Sequence, residues 1–405
     1  MYQIKLSNDI PKPQPVSSDY IVAAHYYAAW KKGAAEIHNG FDDLHDYPER
    51  TPLMGYYDEG NPDVCDWEIK WAVEHGINCF IHCWYRKKQN EGHPVTAADL
   101  RCGHGLHEAL FHATYQKYMK FAIMFENAPR WGNTNPRDLL ENLMPFWTEQ
   151  YFKRDNYLKI DNKPVLFVCG KADLDRVFSG PEEQRTVFDE CRAYARAQGF
   201  DGLVIAVCVW DYGVARDIYL DCTERGYDFH FGYNAGFSPK ADLPTDEEII
   251  DGQCSLLAER LAVDPMRHTP TASCFRDATP RCTQHWNELG FRFANETRYH
   301  LSADGFRQVI RRMRGMADAL PDGAWGKRIF MIDNWNEWDE GHYVSPCHEY
   351  GFRYLQAIRE ELTHRDNLPD YRMPQDLGFT GYNKSWGEPN LSEVCKEKFG
   401  VTYGE

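Results

Sequence analysis

Glu337 and Glu340 stand three residues apart in the run Asn334-Trp335-Asn336-Glu337-Trp338-Asp339-Glu340-Gly341-His342-Tyr343. Two carboxyl groups about 5–5.5 Å apart are what retaining glycoside hydrolysis requires around an anomeric carbon. If the turn is helical, residues at this spacing share one face with Cβ atoms about 5–6 Å apart. Trp335 and Trp338 can exclude water and raise one carboxyl pKa, and Asn336 can hold a hydroxyl. A solvated acidic turn, or a helix start stabilised by acids, has the same composition. The rings, amides and acids that surround the pair decide for chemistry. His342 either tunes Glu340 or packs against Tyr343.

Residues of the same kind recur where predicted strands end. His25-Tyr26-Tyr27 and Trp30 follow the first strand, with Tyr57 further on; His82, Trp84 and Tyr85 end the second. Glu126-Asn127 and Trp131 follow the third, Trp210-Asp211 the fifth, and Tyr233-Asn234 the sixth. Arg276-Asp277 follows the seventh, and Asn336 and Trp338 follow the eighth. Sugars present flat CH faces and many hydroxyls. Rings cover the faces, while carboxylates, amides and guanidinium groups bond the hydroxyls. This set is therefore expected to bind a carbohydrate, although any one ring can instead be core and any one acid a salt-bridge partner.

Eight short apolar runs must position these residues: Ile21–Tyr27, Ile77–Tyr85, Phe121–Phe125, Pro164–Val168, Leu203–Val209, Tyr227–Tyr233, Thr271–Cys274 and Arg328–Asp333. Amphipathic stretches alternate with them. Asn61 and Pro62 read as an N-cap and first helical residue, Val64, Trp67 and Trp71 recur at helical spacing, and Gly76 stops that helix. Helices are also expected at 106–118, 136–152, 182–198, 214–222, 247–261, 302–320 and 351–362, and Asp161-Asn162 reads as a small hairpin turn. Eight strand–helix units predict a (β/α)8 TIM barrel of the α/β class with extended strand-to-helix loops. An open doubly wound sheet competes, but no early strand is followed by GxGxxG. Residues 1–365 are expected to form one catalytic barrel with a polar N-terminal lead-in. Residues 366–405, rich in Pro, Gly, Asn and Asp, are expected to form an irregular tail on it.

Composition bounds the partners. The chain has 405 residues, 43% hydrophobic and 26% charged, enough for a large core. Its 45 Lys plus Arg against 61 Asp plus Glu give a net charge of −16, which repels phosphate backbones and anionic membranes. Neither nucleic acid nor a membrane is an expected partner, and oligomeric state is not readable. No apolar stretch reaches transmembrane length, and the N-terminal segment lacks a signal-peptide apolar region. The 13 cysteines, an odd count without a CxxC pair, read as reduced thiols, so a cytoplasmic location is expected unless a leader has been removed. Cys102, His104 and His107, with His82, offer metal-ligand chemistry at a spacing unlike a structural zinc pair, so no metal or other cofactor is expected. Cys83 reads as buried filler rather than a nucleophile.

The segment Asn336-Glu337-Trp338-Asp339-Glu340-Gly341, with Pro346 downstream, resembles the NEWxEG motif of glycoside hydrolase family 99 and its WbsX-like relatives. Tyr26-Tyr27-x-x-Trp30, Gly55-Tyr56-Tyr57-Asp58, His75-Gly76-Ile77-Asn78-Cys79-Phe80 with Trp84-Tyr85, Lys163-Pro164-Val165 and Asp277-x-Thr279-Pro280-Arg281 resemble further family segments, in the same order. The similarity spans about residues 20 to 362. It implies a (β/α)8 barrel and retaining hydrolysis of α-linked sugars, typically α-mannosides. It further implies that Glu337 assists the sugar's own 2-hydroxyl to attack, giving a 1,2-anhydro sugar, and that Glu340 is the acid/base. The chain departs from the family at Cys274-Phe275-Arg276, at Asp339, and in insertions near 87–103 and 234–246. Those insertions keep the family's substrate from transferring directly. Two rival functions stay open: a glycosyltransferase of polysaccharide assembly, against which stand the missing DxD motif and diphosphate cradle, and a non-catalytic carbohydrate-binding barrel.

Overall fold

The computed structural model describes residues 10–32, 40–128, 133–209, 216–233, 244–288, 299–378 and 382. Eight parallel strands carry the fold: β1 (Ile21–Tyr26), β2 (Cys79–Arg86), β3 (Lys120–Phe125), β4 (Lys163–Val168), β5 (Val204–Cys208), β6 (Phe229–Phe231), β7 (Thr271–Ser273) and β8 (Ile329–Asp333). Hydrogen-bonded neighbours run β6-β5-β4-β3-β2-β1-β8-β7. Sequential neighbours with the first strand beside the last make a nearly closed barrel. The remaining seam is drawn together by His230, whose N–H donates to Arg267 O at 2.8 Å and whose carbonyl accepts from Thr269 N at 3.0 Å. His230 and His268 form a parallel bridge there.

These strands lie where the apolar runs place them, within a residue or two at each end. Helices α1 (Pro62–Glu74), α2 (Pro181–Ala197), α3 (Arg216–Arg225), α4 (Asp246–Val263), α5 (Pro280–Glu288), α6 (Ala303–Asp318) and α7 (Arg353–Leu362) pack outside. The Asn61 side chain accepts from Asp63 N, and Pro62 opens α1. Asp161 and Asn162 both take positive φ, 51° and 55°, in the turn between paired Lys159–Ile160 and β4.

Two expectations change. Residues 106–118 do not form one helix; a wide π turn at Gly105–Ala109 and tight 3-10 turns at Leu110–His112 and Gln116–Tyr118 replace it. There the backbone bends to let Asp66 of α1 accept from Thr114 N and Tyr115 N. Helix α5 was not foreseen, because its nine residues carry few apolar side chains. Residues beyond 365 bond to α1: Lys70 donates to Asp370 O at 3.0 Å, Trp71 Nε1 to Arg372 O at 3.1 Å, and Trp67 Nε1 to Tyr382 OH at 2.8 Å. Among the described residues no helix is long and apolar enough to cross a membrane.

Candidate active site

The segment after β8 is not helical. Asn336–Glu337 pairs antiparallel with His342–Tyr343, so the glutamates sit on a β-hairpin whose turn is residues 338–341. Glu337 lies directly across from His342. Cross-strand partners share a face, which puts Glu337 and His342 on one side, and the turn brings Glu340 back to His342 at 3.0 Å. The hairpin is pinned at both ends: Val344 N donates to Asn334 O at 2.9 Å, and Trp335 N donates to His25 O on β1 at 2.7 Å.

His342 joins the two acids. Its Nε2 is hydrogen-bonded to Glu340 Oε2 at 3.0 Å. Its Nδ1 forms ion pairs with Glu337 Oε2 at 3.0 Å and with Asp333 Oδ1, at the end of β8, at 3.5 Å. Burial opposes charge on this ring, but the Glu337 and Asp333 carboxylates outweigh it and hold the His342 pKa well above the ordinary imidazole range. Burial likewise opposes the Asp333 anion, and His342 and His25 outweigh it, leaving Asp333 below its ordinary range. His25 itself is driven down to about 4, chiefly by burial, so it faces the cluster as a neutral ring.

Glu337 Oε2 also accepts from Asn334 Nδ2 at 3.0 Å, and the same amide donates to Tyr233 OH at 2.6 Å. Both glutamates keep a sliver of surface, 5% and 6%. One oxygen of each carboxylate and a His342 nitrogen lie within 4.8 Å of one another. Three ligand types at that spacing suit a metal ion in principle. Here the two carboxylates face opposite nitrogens of one ring, each at 3.0 Å.

A second layer holds the hairpin from behind. Asn336 Oδ1 accepts from Tyr27 N at 2.8 Å, and its Nδ2 donates to Glu59 Oε1 at 2.8 Å. Glu59 also accepts from Trp30 N at 3.0 Å and contacts His104 Nε2 at 3.3 Å. Trp335 Nε1 donates to Glu68 Oε1 at 3.0 Å, and Trp338 Nε1 to Tyr57 OH at 3.1 Å. Both indoles thus turn away from the glutamates, and the group that meets the acids is His342. On the other flank Asp277 N donates to Glu340 O at 3.2 Å, and Thr279 N to Asp339 O at 2.8 Å. Arg50 clamps Asp277, donating to its carbonyl and to Oδ2 at 2.7 Å each.

The structure sorts the sequence-derived residues by strand parity. Alternate residues of a strand point to opposite faces. Tyr27 and Tyr85 meet edge to face at 6.2 Å on the hairpin side, and Tyr233 lies edge-on to His342 at 5.9 Å. Tyr26, His82 and Trp84 point the other way, into the outer layer. Tyr26 OH donates to Glu68 of α1 at 2.8 Å, His82 packs on Tyr26 at 4.4 Å, and Trp84 Nε1 donates to Tyr151 OH at 3.0 Å. They are not brought to the glutamates. Trp30, Tyr57, Asn336 and Trp338 are fully enclosed in the layer behind the hairpin.

Glu126 is partly buried and accepts from Ala128 N at 2.9 Å; burial raises its pKa against bonds from Cys169 and the backbone. Asn127 Nδ2 instead donates to Asp173 O at 2.9 Å. Arg276 lies on the short ladder Phe275–Arg276 with Tyr299–His300, beside the clamped Asp277. Trp131, Trp210, Asp211 and Asn234 fall outside the described residues. His104 and His107 diverge, the first toward Glu59 and the second toward Tyr151 OH at 2.9 Å. Sequence reasoning passed over Asp333, Asn334, Arg50, Glu59 and Glu68. The signal for Asp333 was its parity with His25 on the neighbouring strand; for Arg50 and the two glutamates there was none.

Comparison with known proteins agrees with the fold. The uncharacterized protein WxcX from Xanthomonas campestris pv. campestris is 24% identical over 363 residues, covering 84% of this chain. The alignment covers 48% of that relative, so the chain spans about half the length of the curated relatives it matches. Two structures of the GH99 endo-α-mannosidase from Bacteroides thetaiotaomicron share the fold. One, in complex with BIS-TRIS-propane, has a TM-score of 0.55 and 14% identity over 84% of this chain and 95% of that one. The other has a TM-score of 0.53 and 15% identity over 84% and 96%. The family described as Glycosyltransferase WbsX matches residues 134–358, which include the hairpin and both glutamates, and the chain belongs to that family.

Proposed function

We propose that the chain is a retaining glycoside hydrolase that cleaves an α-linked, mannoside-like glycan. The observation that carries this reading is the pair Glu337 and Glu340, with carboxylate oxygens within 4.8 Å on one hairpin at the strand ends of the barrel. Retaining glycosidases hold their carboxyl groups about 5–5.5 Å apart, whereas inverting ones leave about 6.5–9.5 Å for a water. Glu337 is the base that assists the sugar's 2-hydroxyl, and Glu340 protonates the departing oxygen and then activates water. In the first step the C2 oxygen bonds C1 as the C1–O bond to the leaving group breaks. Its proton goes to Glu337, and the Glu340 proton goes to the leaving oxygen. In the second, water attacks C1, gives its proton to Glu340, and the C2 oxygen takes its proton back from Glu337.

Tyr85 and Tyr233 supply the aromatic surface beside the pair. The test is incubation of wild type and Glu340→Gln with a panel of α-linked oligosaccharides, mannosides included, followed by chromatography. Release by the wild type alone supports the reading. Binding of a glycan by the wild type without release removes it.

Glycosyl transfer is the second reading, favoured by the family's description. A transferase would bind a nucleotide sugar, and the same hairpin would then handle the acceptor. Titration with nucleotide sugars separates the two.

A further inference from the structure

We propose that His342 allots the acid and base roles between the two glutamates, with Nδ1 keeping its proton beside Glu337 and Nε2 carrying the proton that Glu340 delivers. This deepens the hydrolase reading and rests on it. The argument is geometric. Nδ1 faces two carboxylates, Glu337 Oε2 at 3.0 Å and Asp333 Oδ1 at 3.5 Å, while Nε2 faces Glu340 Oε2 at 3.0 Å. By distance, a proton on Nδ1 is attracted by two anions and one on Nε2 by a single anion, while the hydrogen bond of the ring is the one at Nε2. When the ring gives up one proton, the Nε2 proton leaves.

The remaining neighbours point the same way. Asn334 Nδ2 donates to the same Glu337 oxygen that faces Nδ1, and a fixed donor favours the anionic carboxylate. Glu337 is thereby kept as a base. His25, from β1, contributes a neutral ring, since burial and the charge of His342 both lower its pKa while Asp333 opposes them. Tyr233, at the end of β6, contributes a ring edge and a hydroxyl that accepts from Asn334. Among the described residues, the charged groups at ion-pair distance from the imidazole are Glu337, Glu340 and Asp333.

The proton path balances. The Nε2 proton passes to Glu340 Oε2, leaving the nitrogen lone pair free and the ring neutral with its proton on Nδ1. The terminal torsion of a Glu side chain is broad and two-fold, so the carboxyl group can swing its O–H toward the leaving oxygen. Glu340 donates as the C1–O bond breaks. The attacking water later returns a proton to Glu340, and through it to Nε2. The chain ends with the protons it began with.

The tautomer of His342 is read without substrate. The full chain, labelled with 15N-histidine, is followed by long-range 1H–15N correlation across pH. The His342 signal is assigned by its loss in His342→Asn or His342→Gln, and independently by its displacement in Glu340→Gln. The expected result is a ring that loses its second proton as pH rises and is then protonated on Nδ1. A neutral ring protonated on Nε2, the form free histidine prefers, overturns the proposal. So does a ring that keeps both protons up to the pH at which the protein unfolds. Glycan release is measured separately, so a failure of the hydrolase reading shows there and leaves the tautomer result standing.

Discussion

Gly341 lies so close to Asp277 that a Cβ on it would stand 2.4 Å from the Asp277 carbonyl oxygen. Its φ of +71° is also one that side chains rarely adopt. The glycine of the hairpin turn thus lets the loop after β7 seat against the glutamates. Gly341→Ala should cost on the order of 2–4 kcal/mol and displace both acids. Gly55→Ala is the comparison, with φ +78° but nothing within 4 Å of its Cβ, and should cost only about 1 kcal/mol. Urea midpoints of the two variants check this; equal losses would show that the contact with Asp277 carries no weight.

Glu68 gives the protein a pH-dependent stability. Burial, reinforced by Glu59, pushes its pKa from 4.5 to about 8, while bonds from Trp335 and Tyr26 oppose the shift. A carboxyl whose folded pKa is raised stabilises fully below its unfolded value, and that contribution is lost as pH rises through the folded one. Between about pH 4.5 and 8 the wild type should lose up to a few kcal/mol from this group. Glu68→Gln should flatten the slope of melting temperature against pH over that window. Parallel wild-type and variant curves would mean that Glu68 is ionised in the fold.

Much of this site was legible in the chain itself. Asn336-Glu337-Trp338-Asp339-Glu340-Gly341 carries the family resemblance, and eight alternating runs specify the barrel. Strand parity was not used, and it explains why Tyr26, His82 and Trp84 face helices while His25, Tyr27 and Tyr85 face inward. The partners of the hairpin could not be read locally. Arg50, Glu59 and Glu68 lie about 270 to 290 residues before it in sequence, and only barrel closure, with β1 beside β8, brings them to it. The hairpin itself was not foreseen, because ExxE spacing also fits a helical turn and the positive φ of Gly341 is invisible in composition.

Glu340→Gln should lower turnover of a poor leaving group by about 10²–10⁴ and that of an activated aryl leaving group by less. Amide and acid are nearly isosteric, so binding should survive. The two rate ratios, measured on one substrate series, check the acid role. Equal losses for both leaving groups would take Glu340 out of proton donation.

Helix α4 provides a control on stability. Thr245 caps it by accepting from Glu248 N at 3.3 Å, and Glu248 returns the bond to Thr245 N at 2.8 Å. Thr245→Ala should cost about 1 kcal/mol of stability with turnover unchanged at a temperature well below unfolding. A loss of turnover there would mean that the site is coupled to global stability, and the other variants would need rereading.

The most direct test of the central claim is the anomer first released. Time-resolved 1H NMR of the wild type on its cleaved α-linked glycan, beside the 2-deoxy analogue, reports both stereochemistry and the need for the 2-hydroxyl. The geometry of Glu337 and Glu340 predicts the α-anomer first, with no turnover of the 2-deoxy sugar. Release of the β-anomer first, or normal turnover of the 2-deoxy analogue, would contradict it.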